Sequence, residues 1–586
     1  MKIMTTLAAL AAIFMGGSAH AQTVYPIDRA EILAGSRFDF KVELPALIAA
    51  SDIKVTVNGV DPAAAFGRSA DYIAREDDKD QSALRLPDVV LDKPGAYRID
   101  VTAGALSRSV TWNVYDTGAR RAKNVILFVG DGMSLSHRVA ARILSKGIRE
   151  GKSDGKLAMD DMPNMALVGT AGTDSIITDS ANSASAYTTG HKSATNALGV
   201  YADRTRDVFD DPKVETITSL VKRKRDLAVG IVTNTEIEDA TPAAMVAHTR
   251  RRAAYDEIVA QMFDAKPDVI LGGGAANFLP QAAASSKRRD DVDYVAKFKD
   301  AGYPFVRTVG ELKAAADKAE TTKLLGLFTP GNMDGVLDRK FLKGGGVKKY
   351  PEQPDLTEQV QAALDVLSRH DNGFVLMVES GMIDKYAHLL DMDRAVYDVI
   401  MLDNAVKLAK QWAARRGDDT LILVVSDHSH PNSLIGTIND DMSTETNLPL
   451  RERIGVYDKA GFPNYPAPDA EGYPSRVDVS RRLAIMSASL PDHYETLRPK
   501  LDGPFEPTQK GEAPNTFTAN EKYKNAPGAM LRLGNLPAMM GASVHSGEDV
   551  IVTATGPGSD RVKGQMDNTD VFRVMVDALG LGSSAK

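Results

Sequence analysis

The chain has 586 residues, no cysteine, and 70 Lys and Arg against 78 Asp and Glu, a formal net charge of −8. Without cysteine there are no disulfides, thiolate metal sites, Cys nucleophiles or lipidated N-terminal Cys, so any metal must be held by Asp, Glu, His and hydroxyl oxygens. With 43% hydrophobic and 25% charged residues the composition is that of an ordinary globular protein larger than one small domain, and the acidic balance argues against a nucleic-acid-binding surface.

Met1-Lys2, the apolar run Leu7 to Met15 and the end Gly16-Gly17-Ser18-Ala19-His20-Ala21 predict a secretory signal peptide over residues 1–21, cut before Gln22. Removing Lys2 with it takes the charge from −8 to −9. The apolar run is too short to span a bilayer and no later run reaches about 18 apolar residues. The expectation is a periplasmic or secreted protein without a transmembrane anchor.

Residues 22–118 carry short alternating segments: Arg37 to Leu44, Ile53 to Gly59, Ala96 to Val101 and Ser109 to Val114. Period-two strands separated by turn residues predict an immunoglobulin-like β-sandwich domain, suited to packing, spacing or binding a partner. From residue 119 to 586 the pattern changes. Nearly continuous apolar runs at Asn124 to Val129, Leu227 to Val232, Val269 to Leu271, Phe374 to Val378, Leu421 to Val425 and Val550 to Ala554 read as strands buried on both faces. Helical patterns such as Leu356 to Leu367 and Arg394 to Trp412 lie between them. Strands alternating with helices predict an α/β domain, a mostly parallel sheet flanked by helices. The stretch from about 440 to 538, rich in Pro, Gly, Asn and charge, reads as an insertion.

Chemistry gathers where those strands end, the edge at which open α/β sheets bind ligands. The first run ends in Gly130-Asp131-Gly132, another in Glu379, a third in Ser426-Asp427-His428. Asp384 and His388 are four apart, on one face if helical, and His545 precedes the last run. Carboxylates with imidazoles suit zinc, and an oxygen-rich neighbour suits magnesium. In Thr178 to Gly190, Asp179 and Ser180 form a helix N-cap followed by small residues. Taken alone that is only a cap, but a hydroxyl there lies over free backbone N–H groups and the positive end of a helix dipole, where a phosphate binds. A metal cluster would also let an acidic protein accept an anionic substrate.

Six motifs occur in order: Val129-Gly130-Asp131-Gly132-Met133, the Thr178–Gly190 stretch, Asp239-Ala240-Thr241-Pro242-Ala243-Ala244, Val378-Glu379-Ser380-Gly381-Met382-Ile383-Asp384, Ser426-Asp427-His428 and His545-Ser546-Gly547-Glu548. Together they resemble the metal-dependent alkaline phosphatases, of bacterial zinc and magnesium type, over about Arg121 to Leu581. The resemblance implies an alkaline-phosphatase-like fold and a phosphate monoester hydrolase acting through a phosphoserine on Ser180. It implies a first zinc held by Asp384, His388 and His545, and a second held by Asp131, Asp427 and His428 with Ser180 as its nucleophilic oxygen. A magnesium is implied at Asp131, Thr241 and Glu379. Arg252 matches the arginine that grips phosphate, an assignment that rests on register beside Arg250 and Arg251. Asp239 with Lys385 resembles the bacterial pair that tunes the third metal, and His430 is expected to bond a ligand carboxylate rather than metal. His137, His191, His370 and His493 are left as structural or surface residues.

Expected partners are small phosphate monoesters and, by the same resemblance, a second copy in a homodimer. Two other readings are a phosphodiesterase of the same superfamily and an inactive metal- or phosphate-binding protein that uses the sandwich for adhesion. Thr241, Glu379 and Arg252 favour the monoesterase over the first, and Ser180 with a complete ligand set favours it over the second.

Overall fold

The computed structural model describes residues 22–417, 419–442 and 449–582, so the predicted signal peptide lies outside the described residues. The chain divides into two units. One takes in residues up to Ala30, Asp39–Val89 and Ala96–Asn113; the other takes in Glu31–Phe38, Val90–Gly95 and the chain from Val114 onward.

The first unit is built of antiparallel strand pairs. Ile53–Val57 pairs with Gly95–Ala103 in the register Val55 opposite Val101, Asp71–Ile73 pairs with Ala83–Val90, and Val24 lies opposite Val42. Alternation does the sorting: Val55, Val57, Ile99, Val101, Val110 and Trp112 are all buried, and their sequence neighbours face outward. The Trp112 indole N–H donates to the Pro26 carbonyl at 2.9 Å, and its ring meets Phe40 edge-on at 6.1 Å. A buried indole thus keeps its polar atom satisfied.

The second unit is organised by a ten-stranded sheet. Its strands are β1 (Asn124–Gly130), β2 (Asn164–Gly169), β3 (Ala228–Glu236), β4 (Val269–Gly273), β5 (Phe305–Val306), β6 (Leu324–Leu327), β7 (Phe374–Ser380), β8 (Thr420–Val425), β9 (Val550–Thr555) and β10 (Lys563–Asp567). They lie in the order β5-β6-β4-β3-β7-β1-β8-β9-β2-β10. Pairing is parallel except at β9, which is antiparallel to both β8 and β2, so the sheet is mixed. Successive residues of β1 go to opposite faces. Val125, Leu127 and Val129 join an apolar layer with Tyr187 and Phe572, while Ile126 and Phe128 join another with Leu402 and Trp412. Burial on both faces explains why this strand reads as an unbroken apolar run.

Helices α1 (Leu135–Lys146), α2 (Ser180–Thr189), α3 (Met382–His388), α4 (Met392–Ala414) and α5 (Asn568–Leu579) belong to this unit. Among the described residues no helix is long and apolar enough to cross a membrane. Strands β2, β5, β6 and β10 were not foreseen from sequence. β5 is only two residues long, β6 four, and β10 (KGQMD) is a polar strand at the sheet's edge with little apolar pattern to detect.

Between β8 and β9 the chain builds smaller pieces. Asn432–Asn439, Ile454–Gly455 and Arg481–Ser487 form a three-stranded antiparallel sheet. Two further ribbons pair His493–Glu495 with Met530–Arg532 and Thr508–Lys510 with Phe517–Ala519.

Candidate active site and metal centres

The central strands β3-β7-β1-β8-β9 bring the candidate residues to one edge of the sheet. Asp131 follows β1; Glu379 lies near the end of β7, with Asp384 and His388 on α3 just beyond; Asp427, His428 and His430 follow β8; Asp239 and Thr241 follow β3. His545 and Ser180 reach the same edge because β9 is reversed. Val424 of β8 lies opposite Thr553, so the segment entering β9 stands where the parallel strands exit. Val168 lies opposite Val550, so the exit of β2 leads there too, and residues 170–179 carry the chain to α2.

Asp179 caps α2 in a reciprocal arrangement: its carboxylate accepts from the Asn182 N–H at 3.1 Å, and the Asn182 side-chain oxygen accepts from the Asp179 N–H at 3.0 Å. Every residue of α2 is buried, with Ala181, Ala184 and Ala186 allowing close approach. Ser183 donates to the Asp427 carbonyl at 2.6 Å and Tyr187 to the Ser426 carbonyl at 2.7 Å, which locks the helix against the Ser426–Asp427 turn. Ser180 Oγ is thereby held 3.2 Å from His428 Nε2.

His428 Nε2 is 3.2 Å from Asp131 Oδ1 and 3.3 Å from Asp427 Oδ2. A second group surrounds Asp384, whose Oδ1 is 2.7 Å from His430 Nε2, 3.2 Å from His388 Nε2 and 3.5 Å from His545 Nε2. The two groups touch through the His428 and His545 rings, stacked with centroids 3.5 Å apart. Asp384, His428, His430 and His545 each offer one ligand atom within 4.8 Å of the others, and so do Asp131, Asp427 and His428.

Ring orientation is set by backbone carbonyls. His388 Nδ1 lies 2.6 Å from the Ser543 carbonyl oxygen and His545 Nδ1 lies 2.9 Å from that of Thr178. A carbonyl can only accept, so each Nδ1 carries a hydrogen, and in the neutral rings each Nε2 presents its lone pair. Those two Nε2 atoms face each other at 3.1 Å beside the Asp384 carboxylate. With the rings neutral, two lone pairs and an anion meet at one point, an arrangement that a cation, whether a metal ion or a proton, relieves.

The carboxylates tell the same story. Burial, and then the charges of Asp384 and Asp427, push the Asp131 carboxyl well above its ordinary range; burial also raises Asp427. Burial lifts Glu379 to about 7, with the Thr233 hydroxyl opposing. Asp384 goes the other way, since His388, His430 and His545 overcome the cost of its burial. Asp131 Oδ1, Asp427 Oδ2 and Thr241 Oγ1 are buried yet make no hydrogen bond. Buried acceptors without donors are costly, and divalent cations would satisfy them. The donor set of nitrogen and oxygen atoms therefore fits metal.

Arg252, Asp239 and Lys385 form a chain beside this array. Arg252 Nη2 donates to Asp239 Oδ1 at 2.8 Å and Nη1 to Asp179 Oδ2 at 3.4 Å, while Lys385 Nζ is 3.0 Å from Asp239 Oδ2 and 3.8 Å from Asp384 Oδ2. Burial works against charge on Arg252 and Lys385, but Asp239 outweighs it and holds both above their usual pKa. Arg250 is engaged elsewhere, with Asp203, Asp211 and the Thr205 carbonyl. Glu379 is turned toward Thr233 and Thr235, the latter at 3.1 Å, and Thr241 sits in a short helix capped by Asp239. His137, His191, His370 and His493 bond to Ser134, Tyr201, the Thr322 carbonyl and the Pro491 carbonyl respectively.

Sequence reasoning missed Thr233, Thr235 and Gly132. The two threonines near the end of a buried strand were the only signal for the first two. Gly132 has φ +62°, and a Cβ there would stand 2.7 Å from His430 Cδ2 and 3.0 Å from Asp384 Oδ1, so only glycine lets this turn approach the array. The Thr178 and Ser543 carbonyls left no trace in the sequence.

A family model described as alkaline phosphatase matches residues 122–581. The chain belongs to the alkaline phosphatase family. By that membership it is an enzyme, a phosphoric monoester hydrolase. Alkaline phosphatase H of Pseudomonas aeruginosa is 31% identical over 411 residues, 64% of this chain and 82% of its own length. The alkaline phosphatase of Escherichia coli is 31% identical over 395 residues, 60% of this chain and 80% of its own. The tissue-nonspecific isozyme of Gallus gallus is 36% identical over 345 residues, 53% of this chain; the match spans 64% of that enzyme, less than two thirds of it. The crystal structure of the Thermus thermophilus alkaline phosphatase matches with a TM-score of 0.55 at 28% identity, covering 79% of this chain and 92% of that one.

Proposed function

We propose that the chain hydrolyses phosphate monoesters to an alcohol and inorganic phosphate outside the cytoplasm, through a phosphoserine on Ser180, with two zinc ions and one magnesium. The observation that carries this reading is the opposition of His388 Nε2 and His545 Nε2 at 3.1 Å beside Asp384, joined through His428 to Ser180 Oγ. Asp384, His388 and His545 would hold one zinc; Asp131, Asp427 and His428 the other, against Ser180; Asp131, Thr241 and Glu379 the magnesium. Bound there, the ions supply Lewis acidity that makes the Ser180 hydroxyl acidic, offsets charge on the departing alcohol and activates the water for the second step.

The protein's own groups do the rest. Ser180 Oγ forms a bond to phosphorus as the ester P–O bond breaks and the alcohol leaves; water then attacks the phosphoserine, freeing Ser180 and phosphate. Arg252 pairs in a fork with two non-bridging oxygens, and Asp239 keeps it and Lys385 charged and aimed. His430 orients Asp384, and the N-terminus of α2, where Ser180 stands, favours an anion. We assign export to the segment 1–21, and to residues 22–118 an immunoglobulin-like sandwich that serves in packing, spacing or partner binding.

The test is purified protein of measured metal content, assayed on p-nitrophenyl phosphate and on bis(p-nitrophenyl) phosphate. Monoester turnover should be the faster; faster diester turnover would overturn the reading.

A further inference from the structure

The imidazoles give the site a direction. Ser180 Oγ is 3.2 Å from His428 Nε2, His428 stacks on His545, and His545 Nε2 is 3.1 Å from His388 Nε2. An in-line displacement sends the leaving oxygen away from the attacking one, hence toward the His545–His388 end. Two segments hold that end through the Thr178 and Ser543 carbonyls.

Both segments expose large apolar side chains. Ile176 is 80% exposed and Ile177 36%; a Cβ on Gly547 would meet Ile177 Cδ1 at 3.0 Å, so Ile177 lies over the chain just after His545. Ahead of Ser543 stand Met539, 63% exposed, and Met540, 38%. Exposed apolar side chains on the two segments that hold a polar site mark a candidate contact surface. Residues 171–178 and 538–549 contain no Lys or Arg but do contain Asp174, Glu548 and Asp549, and Lys192, which donates to the Ala171 carbonyl at 2.7 Å, is paired with Asp567 at 2.9 Å; this balance disfavours a leaving group with further negative charge.

We infer that Ile176, Ile177, Met539 and Met540 form an apolar rim that receives the leaving group, so that monoesters of uncharged apolar alcohols are preferred to those with anionic leaving groups. This rests on the monoesterase reading above.

The metal-loaded protein is assayed on n-alkyl phosphates from methyl to hexyl, whose alcohols differ little in acidity. We expect kcat/KM to rise about two- to fourfold per methylene and pyrophosphate to be a poorer substrate than hexyl phosphate. In the triple variant Ile176→Ser, Met539→Ser, Met540→Ser the hexyl-to-methyl ratio should fall toward one. Inhibition constants of the matching alkyl phosphonates, against inorganic phosphate, should show the same trend without turnover. A flat series in the parent protein, or an unchanged ratio in the variant, overturns the inference. An unchanged ratio with an altered oligomeric state overturns it too and makes the rim a subunit contact. Absence of turnover on every monoester sinks the monoesterase reading instead, and the phosphonate series still decides the rim.

Discussion

His545 Nδ1 donates to the carbonyl of Thr178, two residues before Ser180, at 2.9 Å. One hydrogen bond thus joins a metal-ligand candidate from the C-terminal part of the chain to the residue just before the N-cap of α2, the helix that begins at Ser180. It fixes the tautomer of the imidazole and couples its position to that of the serine.

Ser180→Ala should lower turnover by about a thousandfold or more. Metal content, measured by elemental analysis, should persist, because the three other atoms of that site come from Asp131, Asp427 and His428. Full activity would refute the nucleophile assignment.

Chelation should abolish turnover and lower the melting temperature together, since ions bound only by the folded protein stabilise it. Zinc with magnesium should restore both. His388→Ala and His545→Ala should each reduce bound zinc, whereas His370→Ala, outside the array, should leave metal content at the level of the parent protein.

Arg252→Ala should cut kcat/KM by about 10- to 150-fold, the size expected for losing charge-assisted hydrogen bonds, and weaken inhibition by phosphate. Arg252→Lys keeps the charge but not the fork, so it should recover only part. An undiminished kcat/KM in the alanine variant would remove Arg252 from the phosphate grip.

Arg394 tests the scaffold. It is fully buried, bonding Asp338 at 2.7 and 2.9 Å and Asp391 at 2.8 Å. Arg394→Ala strands two buried carboxylates and should cost about 3–5 kcal/mol, read as a lower urea midpoint. An unchanged midpoint would mean those carboxylates take up protons at little expense.

Much of the site was legible because its chemistry is written locally. Asp131, Glu379 and Asp427 stand at the ends of apolar runs, and burial on both faces is what makes such runs visible. The helix start was legible at Asp179 and Ser180; Asp179 alone is the N-cap, bonded reciprocally with Asn182, and Ser180 is the first helical residue. Neighbours across the sheet were implied only by the family resemblance, because no local pattern marks them. Nothing near Arg250, Arg251 and Arg252 says which one turns inward; Asp203 and Asp211 claim Arg250, and Asp239 and Asp179 hold Arg252.

By itself the amino-acid order determined the residue types and the strand ends that carry them, because side-chain chemistry and hydrophobic period are local properties. The resemblance implied that His545 and Ser180 join the others; the physical route by which they do so lies only in the tertiary structure. That outcome depends on β9 running antiparallel between β8 and β2, a reversal set by long-range pairing that leaves no local mark. The same pairing brings His545 Nε2 to 3.1 Å from His388 Nε2 beside the Asp384 carboxylate, a nitrogen and oxygen donor set that suits a cation.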